Sequence, residues 1–179
     1  MNGRKIAQGM IILAVAILVI IVFIMKRSGV SDISGVQHAI DAAAAAEQSS
    51  RDPLEIEDFD PSMIRSSDRP MIIVMGEDWC QPCLRMLPDL SELHRTVEDI
   101  EIRYMDLEEN EAAFDYFPIR VTPTIAVFEA GGKPFSPPED SAIDYILYSY
   151  RDSGDHALTI HEGMLTREQL EKMIEDIRR

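Results

Sequence analysis

Gly76–Met86 reads GEDWCQPCLRM and holds the only two cysteines of a 179-residue chain. Two cysteines spaced three apart can serve as a redox couple, as half of a metal site or as a small structural staple. The flanking sequence separates these chemistries. Met71–Met75 (MIIVM) is a continuous apolar run of the kind found in a strand covered on both faces. Beyond the cysteines, Leu87, Leu90, Leu93 and Val97 recur at helical spacing, and Pro88 inside that pattern predicts a kink. The pair therefore sits where a buried strand turns into a helix, with Cys80 at the helix N-terminus. Unpaired backbone N–H groups and the positive end of the helix dipole favour a thiolate there. Pro82 suits a first helical turn, where its missing N–H is not needed.

The two other chemistries fit less well. Zinc takes about four nitrogen or sulfur ligands, whereas the cysteines supply two. His38, His94, His156 and His161 include no HxxxH pair. A structural disulfide from Cys80 to Cys83 closes a very small loop, and stabilisation of this kind shrinks with loop length. The residues favour a redox pair, with no metal and no cofactor.

Further along, Ile100, Ile102 and Tyr104 alternate with Glu101 and Arg103 as in a half-buried strand. Thr124–Phe128 (TIAVF) is a second apolar strand, closed by Gly131-Gly132. Ile146–Tyr150 and Ala157–His161 flank RDSGD as the arms of a hairpin. Thr166 with Gln169 forms a capping-box pattern ahead of an apolar face made by Leu170, Met173, Ile174 and Ile177. This alternation of strands and helices is an α/β order.

WCQPC, Trp79–Cys83, resembles the WC-x-PC active-site motif of the thioredoxin family. Pro88 falls where those proteins kink the active-site helix. FPIRVTPT, Phe117–Thr124, resembles their cis-proline loop with Pro123 as the proline. Gly131-Gly132 and Gly163 resemble the glycines that follow the next strand and precede the last helix. The similarity runs from about Ile56 to Ile177. It implies a thioredoxin-like α/β fold, a central mixed sheet flanked by helices. It also implies roles: Cys80 as attacking nucleophile, Cys83 as resolving thiol, and Gln81 and Pro82 on the active-site helix between them. Trp79, Thr122 and Pro123 would line the substrate groove, with the Thr122 hydroxyl near the sulfurs. The oxidised state would be a Cys80–Cys83 disulfide.

Two departures stand out. Thioredoxins carry a buried aspartate on the strand entering the motif, which helps deprotonate the resolving cysteine. Val74 occupies that position here, so resolution is expected to use water or a carboxylate such as Glu77 or Asp78. Between Gly132 and Gly163 the chain is also longer than a minimal thioredoxin, giving an extended hairpin insertion at about 133–160. This longer segment resembles that of membrane-anchored or lipoprotein thioredoxin-like proteins. The insertion reads as an elongated hairpin with a solvated tip, or as a docking surface using Tyr145, Tyr148 and Tyr150. His94, His161 and Glu162 read as packing or cap residues, and Asp106–Asp115 as a solvated acidic face.

The ends of the chain complete the organisation. Ile6–Met25 is twenty residues without a formal charge, about 30 Å as a helix and enough to span a bilayer core. It lacks a small-x-small cleavage site and a lipidation cysteine, so residues 1–27 are expected to form an uncleaved transmembrane anchor. Arg4 and Lys5 nearly balance Lys26 and Arg27 across it. The free amino group and acidic body tilt the expected orientation to N-terminus inside and domain outside, a single-pass cell-membrane protein. Residues 28–53 read as a stalk, and 54–179 as the thioredoxin-like domain. All 32 acidic residues and 13 of the 17 basic ones follow Arg27. A body this acidic repels phosphates, which excludes nucleic acid as a partner. The expected function is a membrane-anchored thiol–disulfide oxidoreductase that reduces protein disulfides, supplied by an integral-membrane electron donor. The alternatives are a disulfide oxidase or isomerase, and a non-catalytic anchored binding module.

Overall fold

The computed structural model describes residues 53–179. The expected anchor, and the expected stalk up to residue 52, lie outside the described residues. Among the described residues no helix is long and apolar enough to cross a membrane.

Strand β1 (Met71–Gly76) is the centre of the domain, and all six of its residues are buried. Its side chains alternate between two faces, as the period of a strand dictates. Ile72 and Val74 enter one apolar cluster with Met86, Leu90, Leu93, Leu170, Met173 and Ile174. Met71, Ile73 and Met75 enter the other, with Ile64, Met105, Ala113, Phe117 and Ile160. The first cluster is supplied by helices α2 (Gln81–Thr96) and α4 (Arg167–Ile177). The short helices α1 (Ser62–Ser66) and α3 (Ala113–Tyr116) supply the second. Helices thus cover both faces of the sheet, which explains why β1 reads as an unbroken apolar run.

β1 pairs in parallel with β2 (Glu101–Asp106) and antiparallel with β3 (Thr124–Glu129). β3 continues antiparallel to β6 (His156–Glu162), and β5 (Ile146–Ser149) pairs antiparallel with β6. The strand order is β2-β1-β3-β6-β5, with the two-residue β4 (Lys133–Pro134) against the end of β3. This mixed sheet between helices is the architecture that the sequence predicts.

Local chemistry accounts for the helix ends. Thr166 accepts the Gln169 N–H while Gln169 accepts the Thr166 N–H at 2.9 Å, so the predicted capping box is formed at the start of α4. In α2, Cys83, Met86, Leu90 and Leu93 form the buried stripe. Pro88 lies inside α2 on its exposed side, and the helix continues to Thr96.

The insertion departs from the expected long hairpin. Apart from the two-residue β4, its strands begin at Ile146, and the tip at Arg151–Asp155 is exposed. The preceding segment instead covers the core: Phe135 and Ile143 are buried in the α2–α4 cluster. Tyr145, expected on a docking surface, packs edge-on against Phe135 with centroids 5.7 Å apart. Its hydroxyl lies 3.4 Å from the Asp176 carboxylate, and burial raises its pKa. Tyr150 is the exposed member of the trio.

Two substitutions test this account. Ile73→Ala removes a fully buried side chain from the central strand, and we expect a loss of about 2–5 kcal/mol in denaturant unfolding. Thr166→Ala removes only a cap and should cost about 1 kcal/mol in the same measurement.

Candidate active site

The buried strand β1 ends at Gly76, and four residues later the chain enters α2. Cys80 is the N-cap of α2 in an extended conformation, with Pro82 in the first turn. Its sulfur accepts the Cys83 N–H at 3.3 Å, one of the donors a helix start leaves unpaired. The first helical bond follows, from Leu84 N–H to Cys80 carbonyl at 3.0 Å. Cys80 and Cys83 form a disulfide with Cα atoms 5.2 Å apart. The predicted placement of Cys80 at a helix N-terminus is therefore the observed one. In the disulfide, Cys80 is 4% exposed and Cys83 fully buried, so Cys80 is only marginally the more accessible sulfur. Gln81, between them, is exposed.

The loop before β3 approaches from another part of the sheet. The Thr122–Pro123 peptide bond is cis, as the resemblance implies for Pro123. Pro123 is buried, and its carbonyl accepts the Gly163 N–H at 2.9 Å. The Thr122 hydroxyl donates to the Glu77 carboxylate at 3.1 Å, which ties this loop to the segment leading into the cysteines. Arg120 forms a bidentate pair with Glu162 at 2.7 and 3.0 Å, bracing the same loop against β6. Trp79 is 63% exposed, and its indole N–H donates to the Glu108 carboxylate at 3.0 Å. The indole next to the disulfide in sequence is thus on the surface rather than in the core.

Of the carboxylates considered for proton transfer, Glu77 is engaged by Thr122 and Asp78 is exposed. Val74 is fully buried beside β2 and β3, paired with Tyr104 and Ile125. Two of the described histidines bond elsewhere: His94 Nδ1 lies 2.9 Å from the Ile102 carbonyl and His161 Nδ1 2.9 Å from that of Asp144. Among the described residues no group of His, Cys, Asp and Glu could hold a metal ion.

What lies behind Cys83 was not legible in the sequence. A Cβ on Gly76 would stand 2.7 Å from the Tyr104 hydroxyl oxygen, 2.9 Å from Cys83 Sγ and 3.1 Å from Cys83 Cβ. No side chain fits there without displacement, so glycine lets the strand end pass directly over the buried sulfur. The Tyr104 hydroxyl is buried and has no hydrogen-bond partner among the described residues. Burial pushes its pKa up to about 12, and the carboxylates of Asp106, Glu55, Glu77 and Asp78 add to the effect. The alternation Ile100–Ile102–Tyr104 was the only hint, since it puts the phenol on a buried face.

The thioredoxin family model matches residues 52–144, more than half of the chain. This chain belongs to the thioredoxin family. Among its relatives, a thioredoxin of Rickettsia typhi is 29% identical over 69 residues, covering 38% of this chain and 66% of that protein. Chloroplastic thioredoxin Y2 of Arabidopsis thaliana is 30% identical over 70 residues, covering 38% of this chain and 42% of that one. The chain thus spans just under two thirds of the Rickettsia thioredoxin and less than half of the plant protein. Among solved structures, the thioredoxin of Plasmodium falciparum overlays with a TM-score of 0.48 at 18% identity. That overlay covers 69% of this chain and 97% of the other. The family match ends at residue 144, so the β5–β6 hairpin and α4 lie beyond it. Within this thioredoxin domain, the cis-proline loop is tied through Glu77 to the segment that carries the exposed tryptophan and the paired cysteines.

Gly76→Ala would push a methyl group into the gap shared by Tyr104 and Cys83. We expect the oxidised protein to lose about 1–3 kcal/mol in denaturant unfolding, the usual cost of overpacking.

Proposed function

We propose that this protein is a membrane-tethered thiol–disulfide oxidoreductase that reduces disulfides in other proteins. The observation that carries the reading is the Cys80–Cys83 disulfide at the helix start, with the Cys80 sulfur as hydrogen-bond acceptor of the Cys83 N–H. A group held this way gains most when it is an anion, because the amide bond and helix dipole both strengthen with negative charge. The thioredoxin domain and the redox spacing of the pair support the same chemistry.

In the reduced protein the Cys80 thiolate attacks one sulfur of a substrate disulfide. A bond forms from Cys80 to that sulfur, and the substrate's other sulfur leaves as a thiolate that takes a proton from solvent. Cys83 then attacks Cys80 Sγ, displacing the substrate's second sulfur and closing the Cys80–Cys83 disulfide. Two electrons have passed to the substrate. Trp79, Thr122 and Pro123 form the contact surface for the substrate chain, with Thr122 held by Glu77. Substrate recognition therefore depends on two segments that are joined at Glu77.

Tethering through Ile6–Met25, with the domain on the extracytoplasmic side, rests on the apolar tract and its flanking charges. Confinement to the membrane plane would raise encounter rates with an integral-membrane electron donor.

Full-length protein reduced with dithiothreitol should be alkylated at Cys80 with an apparent pKa below the ordinary ~8.5 of a thiol. Cys83→Ser should accumulate a mixed disulfide with substrate, while Cys80→Ser should not react at all. A Cys80 of ordinary pKa, with no turnover of protein disulfides, would leave the anchored binding module as the function. A reduction potential close to about −270 mV identifies a reductase and one near about −120 mV an oxidant.

A further inference from the structure

The chemistry above leaves the resolving thiol without help, because the residue on β1 nearest in role to a buried acid is Val74. Cys83 is fully enclosed, and turning an enclosed thiol into the attacking thiolate costs free energy that water cannot offset there. One polar group faces the same enclosure. The Tyr104 hydroxyl and Cys83 Sγ both border the gap above Gly76, at 2.7 and 2.9 Å from the point where a Cβ would stand. The two atoms are therefore separated by no more than the sum of those distances. The phenol arrives there because Tyr104 pairs in register with Val74, its side chain lying in the cluster beneath α2. In the disulfide form that hydroxyl donates to nothing. A buried hydroxyl without a partner is costly, and such groups cluster where a partner arrives during function.

We propose that Tyr104 is a catalytic residue of the resolving step, its hydroxyl donating a hydrogen bond to Cys83 Sγ as that sulfur becomes an anion. The inference rests on the oxidoreductase reading and names the group that replaces a buried acid. The phenol does not take the proton. Burial and the surrounding carboxylates of Asp106, Glu55, Glu77 and Asp78 hold it protonated up to about pH 12, so it acts as donor across the working range. The proton lost by Cys83 passes through solvent to the departing substrate sulfur. The Cys83–Cys80 bond forms as the Cys80–substrate bond breaks, and no further reactant is needed. Val74 keeps the surroundings apolar, which makes this donor stronger.

This mechanism separates the two halves of the reaction. Cys80 is activated by the Cys83 N–H at the helix start, and Cys83 by the phenol behind it. Glu77 and Asp78 face Tyr104 electrostatically, so their charge also opposes a second anion at Cys83. The donor has to compensate for that repulsion as well as for burial.

The test is rapid-quench kinetics on the full-length protein with a disulfide-bonded peptide, following formation and decay of the mixed disulfide across pH 6–10. Tyr104→Phe should form the mixed disulfide at the wild-type rate but resolve it about ten-fold more slowly at neutral pH, as expected for losing a hydrogen bond to a charged group. The rise of the resolution rate with pH should also move to higher pH. A 3-fluorotyrosine at position 104, whose hydroxyl is more acidic, should speed resolution, and it covers the case in which Tyr104→Phe folds poorly. Unchanged resolution rates and pH profiles in a folded Tyr104→Phe variant would overturn the proposal, as would equal slowing of both steps. Failure of the wild-type protein to form any mixed disulfide would instead refute the oxidoreductase reading on which it rests.

Discussion

Burial of β1 on both faces is the constraint on which the rest of the domain depends. A strand with side chains in two separate apolar clusters has no freedom to slide or rotate, since a one-residue slip would exchange the two sets. Its end at Gly76 is consequently a fixed point. The four residues that follow deliver Cys80 to the first turn of α2, whose own stripe is seated in the same cluster as Ile72 and Val74. The position of the disulfide is thus set by core packing, not by the loop that carries it.

Around that fixed point the site is assembled from separate segments held by polar ties. Glu77 receives the Thr122 hydroxyl, Pro123 receives the Gly163 N–H, and Glu162 grips Arg120. These ties join the β1–α2 connection, the loop before β3 and the end of β6. Asn110 performs a similar service on the other side of the domain. Its amide bonds the Phe59 N–H and the Ile56 carbonyl, fastening the first described segment beside β2. Most of the ion pairs on the helices are exposed and contribute little to stability, so they matter more to solubility than to this geometry.

The insertion shows how a family fold absorbs extra chain. Its first half is used as core, with Phe135 and Ile143 enclosed and Tyr145 bonded towards Asp176. Its second half adds β5 as an outer strand on β6. The sheet is wider as a result. Leu147 and Tyr150 remain exposed on that added edge.

Much of this was readable from residue pattern alone. Continuous apolarity marked β1, helical spacing marked α2 and α4, and the Thr166–Gln169 pair marked a helix start. The CxxC spacing named the chemistry, because strand, turn and helix are local and their signals lie within a few residues of one another. Tertiary structure decided the rest. Tyr145 was an exposed aromatic by sequence and is a packed one in the fold, since only the path of the insertion determines which side meets the core. Tyr104 lies 21 residues from Cys83 in the chain and belongs to a different strand. Its hydroxyl borders the same gap as the sulfur only through the register of β1 against β2 and the missing side chain at Gly76, and sheet register is a property of packed faces that no local pattern encodes.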